Sequence, residues 1–224
     1  MKLRSRNILT LLQDKTCDYE DRIALGMKSS FGWKELTYKG IGLLSRKLAS
    51  FLIEELGVKK GERLAILSES KPEYGVCVFA SVLSGMVTVP LDVKLTKYEL
   101  KSIMLDCEPS VIMVSQHYLD TALALKQEIS SIKHVIVMDE HSYNDGIKNI
   151  YELPDCYNAK WRHRSSKSTA FIIYTSGTTG APKGVEISFR NITAQLEDLK
   201  IALDEILPHR KITTLSILPM NHLF

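Results

Sequence analysis

The chain has 224 residues, 45% of them apolar and 25% charged, which excludes a disordered or low-complexity protein and is long enough to bury a sizeable core. Lys and Arg number 29 against 26 Asp and Glu, and the net charge of +3 is too small for a nucleic-acid-binding surface. The densest basic groups, Lys2-Arg4-Arg6 and Lys160-Arg162-Arg164 with Lys167, read as solvated surface. Cysteines at 17, 77, 107 and 156 show neither a C-x-x-C spacing nor a nearby His pair, so no metal site within the chain is expected, and free thiols in a reducing, cytoplasmic compartment are.

The N-terminal Met1–Arg6 stretch is followed by a short apolar run, Ile8 to Leu12, with no cleavage pattern of a secretory signal. Arg22–Lys28 and Trp33–Thr37 read as a hairpin turning near Ser29-Ser30. Thr37 then precedes a helix whose apolar face is Ile41, Leu44, Leu48, Phe51, Leu52 and Leu56, with Gly57 as its C-terminal cap. Arg63–Leu67 is a buried strand. Pro72 opens a helix reaching Ser84, Gly85 ends it, and Met86–Pro90 is a strand. The apolar stretch from Val76 to Leu91 is too short to cross a bilayer and contains Ser81, Ser84, Gly85, Thr88 and Pro90, so a buried helix entering a buried strand is the better reading.

Thr96 and Glu99 form a capping box, which predicts a helix to about Asp106, broken at Pro109. Val111–Val114 and Val135–Met138 read as strands on either side of a helix over Tyr118–Ile129. Residues 140–167 are polar and irregular. The remainder reads as a strand over Ala170–Tyr174, a loop, a short strand over Gly184–Ile187, a helix from Phe189 to Leu207 ended by Pro208, and a last strand over Ile212–Leu218. This alternation predicts an α/β protein with mostly parallel strands and helices on both faces, whose ligands sit beyond the carboxyl ends of strands.

The loop after Tyr174 carries the chemistry. In Thr175-Ser176-Gly177-Thr178-Thr179-Gly180-Ala181-Pro182-Lys183-Gly184, three glycines let backbone amides approach a ligand, four hydroxyls can donate to phosphate oxygens, and Lys183 adds a positive charge. A Walker A loop is excluded, because Pro182 stands where its second glycine belongs and Gly184 where its Ser or Thr belongs. Gly40-Ile41-Gly42 lacks the third glycine of a dinucleotide fingerprint and lies within the first long helix.

This segment resembles the phosphate-binding signature of the adenylate-forming superfamily, which includes acyl-CoA synthetases, luciferases and peptide-synthetase adenylation domains. Three further stretches are similar and occur in the family's order: Leu36-Thr37-Tyr38, Val82 to Asp92, and Pro219-Met220-Asn221-His222, the last resembling the long-chain acyl-CoA ligase branch. One departure is Ser188-Phe189-Arg190-Asn191, where the family often has His-Arg-Asn. The resemblance implies the N-terminal portion of the large AMP-binding domain. A first subdomain would occupy residues 1–165 and the phosphate-loop segment would begin a second at 166–224. The chain is expected to be truncated, with the C-terminal domain absent and the fragment inactive alone.

By the same resemblance, Thr175, Ser176, Gly177, Thr178, Thr179, Gly180 and Lys183 would hold the ATP phosphates, and His222 would lie near the reacting carboxylate. The implied reaction makes an acyl adenylate from ATP, with magnesium, and a carboxylic acid, most readily a long-chain fatty acid. Coenzyme A would then take the acyl group. The family's adenine, ribose, magnesium and C-terminal lysine motifs are not found in these residues. An acyl-AMP ligase serving an acyl carrier protein, and a non-catalytic nucleotide-binding module, remain as alternatives. A long-chain substrate would bring peripheral membrane contact.

Overall fold

The computed structural model describes residues 8–30, 32–140, 147–154, 159–176, 182–206 and 213–220. An N-terminal helix, α1 (Ile8–Asp18), precedes a hairpin of β1 (Ile23–Ser29) and β2 (Gly32–Thr37). The expected hairpin is present. The helix extends the short apolar run by two turns, through residues too polar to have marked it in the sequence.

The body of the chain is one seven-stranded sheet in the order β7-β6-β5-β3-β4-β8-β9. Its strands are β3 (Arg63–Leu67), β4 (Val87–Leu91), β5 (Pro109–Val114), β6 (His134–Val137), β7 (Lys148–Asn149), β8 (Thr169–Ser176) and β9 (Pro182–Ser188). Every neighbouring pair is parallel except β8 and β9, which form an antiparallel ribbon. The helices are α2 (Tyr38–Glu54), α3 (Pro72–Ser84), α4 (Lys97–Cys107), α5 (Leu119–Glu128) and α6 (Phe189–Ile206).

Strand alternation sorts the core into two layers. Leu64 and Ile66 of β3 join Leu48, Leu52, Tyr74 and Val76 of α2 and α3, whereas Ala65 and Leu67 join Leu100, Met104, Ala122 and Leu125 of α4 and α5. Successive side chains of a strand point to opposite faces, so a strand covered on both sides must be apolar throughout. β4 is buried over its whole length, and its one polar residue, Thr88, donates its hydroxyl to Ser81 Oγ at 2.9 Å. The mostly parallel α/β class with helices on both faces is therefore the observed one.

The local signals explain the helix ends. The Thr37 hydroxyl accepts the Gly40 N–H at 3.0 Å at the start of α2. Thr96 and Glu99 form the expected reciprocal box at the start of α4. Gly85 closes α3 in a left-handed conformation, φ 75°.

Four expectations need correction. The cap of α2 falls on Glu55, whose N–H bonds the Phe51 carbonyl, and Gly57 takes its left-handed φ of 63° two residues later. Pro109 does not interrupt the end of α4; Glu108, at φ 43°, turns the chain and Pro109 begins β5. The irregular stretch contains β7, a two-residue strand beside β6. Residues 213–218 form no strand, because no described strand offers their backbone a ladder; Leu215 and Ile217 are 86% and 84% exposed. Leu207, Pro208 and Ile212 lie outside the described residues.

Candidate functional site

All the parallel strands, β8 included, end at the same edge of the sheet. The ribbon that continues from β8 places three of the expected phosphate-binding residues there, Thr175, Ser176 and Lys183. Its ladder pairs Tyr174 with Gly184, Thr175 with Lys183 and Ser176 with Pro182. Thr175 and Lys183 thus stand opposite each other on one face of the ribbon, and both are exposed. The ladder closes at Ser176 and Pro182, so the segment between them begins and ends side by side. Gly177, Thr178, Thr179 and Gly180 lie outside the described residues, as does His222.

The opposite face of the ribbon anchors it. Tyr174 projects towards the last turn of α4, where its hydroxyl donates to the Asp106 carboxylate. Burial, and then that hydrogen bond, push the Tyr174 hydroxyl well above the ordinary tyrosine range. Cys107 beside it is buried and its thiol is pushed up to about 12, chiefly by loss of solvent. Thr169 donates to Glu186 at 2.5 Å near the other end of the ribbon. At the start of α6, Asn191 accepts from the Ser188 N–H at 3.0 Å while the Ser188 hydroxyl accepts the Asn191 N–H at 3.2 Å. Ser188 therefore caps α6, and Phe189, which stands where the family often has His, is its first residue.

A second polar constellation lies at the same edge, and sequence reasoning missed it. The chain leaves β3 towards β4 on one side and leaves β5 towards β6 on the other. Diverging connections of this kind open a crevice between carboxyl ends. Here the loop after β3 supplies Glu69 and Lys71, the loop after β5 supplies Ser115 and Gln116, and the end of β6 supplies Asp139. Lys71, only 7% exposed, pairs with Asp139 and lies 3.3 Å from Glu69. The Ser115 hydroxyl donates to Glu69 at 2.6 Å.

Asp139 also accepts the Gln116 N–H at 2.7 Å. Burial would raise the Glu69 carboxyl, but the Ser115 hydrogen bond and the Lys71 charge outweigh it, and its pKa is lowered. Burial likewise opposes the Lys71 ammonium, and Asp139 overcomes it, so its pKa is raised.

Next to this group, Glu73 of α3 is fully buried. It pairs with Lys34 of β2 at 2.5 Å and accepts the Tyr151 hydroxyl at 2.6 Å. The signal that could have found the first group is positional: Ser68-Glu69-Ser70-Lys71 and Asp139 follow buried strands, where carboxyl-edge side chains gather.

The fold is a mostly parallel α/β sheet covered by helices on both faces, with the segment expected to bind phosphate leaving β8 at the carboxyl edge. The family model described as AMP-binding enzyme matches residues 12–224, and the chain belongs to that family. A long-chain-fatty-acid–CoA ligase of Salmonella typhimurium is 29% identical over 216 residues, covering 84% of this chain and 38% of that protein. A crotonobetaine/carnitine–CoA ligase of Salmonella agona is 27% identical over 196 residues, covering 84% and 37%. A crystal structure described as a long-chain-fatty-acid CoA ligase from Rhodopseudomonas palustris superimposes with a TM-score of 0.82 at 22% identity, covering 99% of this chain and 53% of that one. The chain therefore spans well under half the length of these two curated relatives.

No described helix is long and apolar enough to cross a membrane. Among the described residues no group of three or more His, Cys, Asp or Glu side chains is placed to hold a metal ion.

Proposed function

We propose that this chain is the phosphate-binding part of an enzyme that activates a carboxylic acid with ATP, forming an acyl adenylate and releasing pyrophosphate, and then passes the acyl group to coenzyme A. The observation that carries the proposal is the ribbon: Thr175 and Lys183 face one another at the closed end of the β8–β9 ladder, on the side away from the Tyr174–Asp106 anchor.

A hydroxyl and an ammonium held at one end of a rigid ribbon suit the β- and γ-phosphates, the group that departs as pyrophosphate. Transfer of this kind depends on positioning and charge stabilisation more than on covalent help. Thr175, Ser176, Gly177, Thr178, Thr179, Gly180 and Lys183 form the proposed phosphate cradle, and His222 the proposed contact to the reacting acid. Magnesium would be held by the family's magnesium motif, which is not found in these residues.

A long-chain fatty acid is the proposed acid, supported by the family branch of the 29%-identical relative. That substrate brings with it the proposed peripheral contact with a membrane from a cytoplasmic location. The two subdomains proposed at 1–165 and 166–224 meet just before β8, which adds to the same sheet beside β4.

The test is acid-dependent ATP–pyrophosphate exchange by the whole protein over short, medium and long fatty acids, with this chain alone measured beside it. Exchange by the whole protein, and its fall by about 10²–10³-fold on Lys183→Ala, is the expected result. Full activity in that variant would remove Lys183 from the mechanism. Coenzyme A consumption against loading of a carrier protein identifies the acceptor. Absence of exchange with every acid would leave a nucleotide-binding module without this reaction.

A further inference from the structure

The loop after β3 holds one contact that the phosphate ribbon does not use. The Met220 N–H donates to Ser70 Oγ at 2.9 Å, across 150 positions of sequence. Both neighbours of Ser70 are fixed. Glu69 is tied to Ser115 after β5, at 2.6 Å, and Lys71 is tied to Asp139 after β6. Asp139 is itself held, since its carboxylate accepts the Gln116 N–H and its carbonyl accepts the Asn149 side-chain amide at 2.6 Å. A serine between two anchored residues has little freedom left, so its hydroxyl is preset for a partner.

The partner segment is otherwise loosely held. Leu215 and Ile217 are 86% and 84% exposed, whereas the Met220 side chain packs against the α2–α3 side of the core. Among the described residues of the segment Met220 is therefore the one held to the core, and His222 follows it by two positions in sequence. The contact sits at the β3–β5 crevice, where the strand connections diverge.

We infer that Ser70 is a positioning residue that seats Met220 at the β3–β5 crevice and so sets how well the acid is held for activation. This rests on the proposed reaction. Its chemistry is a single neutral hydrogen bond to a backbone amide, reinforced from behind by the Glu69–Ser115 and Lys71–Asp139 pairs.

Two measurements on the whole protein test it. In ATP–pyrophosphate exchange, Ser70→Ala should raise the KM for the acid by about tenfold, the effect of losing one well-placed hydrogen bond, while the KM for ATP stays within about twofold. Ser70→Thr, which keeps the hydroxyl, should restore the acid KM. In hydrogen exchange, the Met220 amide should lose protection in Ser70→Ala and keep it in Ser70→Thr.

Unchanged acid KM, or equal rises for acid and ATP, would overturn the positioning role. Unchanged protection of the Met220 amide would overturn the docking itself. If wild-type protein shows no exchange with any acid, the reaction falls and takes the acid-positioning role with it, while the amide measurement still decides whether Ser70 seats Met220.

Discussion

The ring of Tyr174 lies across Gly184. A Cβ placed on Gly184 would stand 3.1 Å from Tyr174 Cζ, 3.2 Å from its hydroxyl and 2.9 Å from Ile172 Cγ2. The glycine of the Pro-Lys-Gly sequence is therefore required by its cross-strand partner, whose hydroxyl must reach Asp106. Gly184→Ala should destabilise the protein by about 1–3 kcal/mol through overpacking. Tyr174→Ala in the same chain should relieve part of that cost, with a coupling of about 0.5 kcal/mol or more in a denaturation double-mutant cycle. Strict additivity would show that the two residues do not compete for the space.

Glu73 is fully buried and depends on Lys34, at 2.5 Å, for its countercharge. Lys34→Met removes the cation and leaves the carboxylate in the core. Breaking a buried pair in this way costs about 3–5 kcal/mol, and the partial exposure of Lys34 places the expected loss at the lower end, about 3 kcal/mol. Tyr151→Phe removes one neutral donor and should cost about 1 kcal/mol. Urea denaturation measures both, and the ranking is the critical outcome: a larger loss in Tyr151→Phe would contradict the charge argument.

Cysteine accessibility separates the thiols. Cys17 is exposed, while Cys77 and Cys107 are buried. Loss of solvent also raises both buried thiols, that of Cys107 up to about 12. Brief alkylation at neutral pH followed by peptide mapping should therefore modify Cys17 and spare Cys77 and Cys107 until the protein is unfolded. Early modification of Cys107 would mean that the Tyr174–α4 contact is open in solution.

The carboxyl-edge pairs set a pH dependence. Glu69 is lowered from its ordinary 4.5, so its contribution is present above that value and is lost as pH falls through the folded pKa. Lys71 is raised from its ordinary 10.5, so its contribution is present below that value and is lost as pH rises through the folded pKa. The pairs thus add stability from pH 4.5 to 10.5. Glu69→Gln should flatten the acid side of a Tm-against-pH curve. An acid limb as steep as wild type would show that Glu69 does not contribute.

What the sequence revealed and what it hid divide along a physical line. Thr37, Gly85 and the Thr96–Glu99 box act within a turn of their own positions, so their elements were legible, as were the apolar strands β3 and β4. The signature around Thr175 and Lys183 was legible for the same reason, being contiguous. Lys71 with Asp139, Tyr174 with Asp106 and Ser70 with Met220 are each separated by 68 or more positions. Only strand order brings them together. The last strand was misjudged because Leu215, Ile217 and Leu218 have strand-like side chains but no neighbouring edge to pair with among the described residues, and pairing is a property of the fold.

The seam between β4 and β8 is the narrowest in the sheet. Thr88 and Phe171 are its one registered pair among the described residues, against five between β3 and β4 and seven between β8 and β9. With one backbone pair registered at that seam, the ribbon's place on the sheet rests on side chains, the Tyr174–Asp106 hydrogen bond among them. Thr175 and Lys183 therefore keep their mutual spacing through the β8–β9 ladder, while their aim relative to the parallel strands depends on one tyrosine hydroxyl.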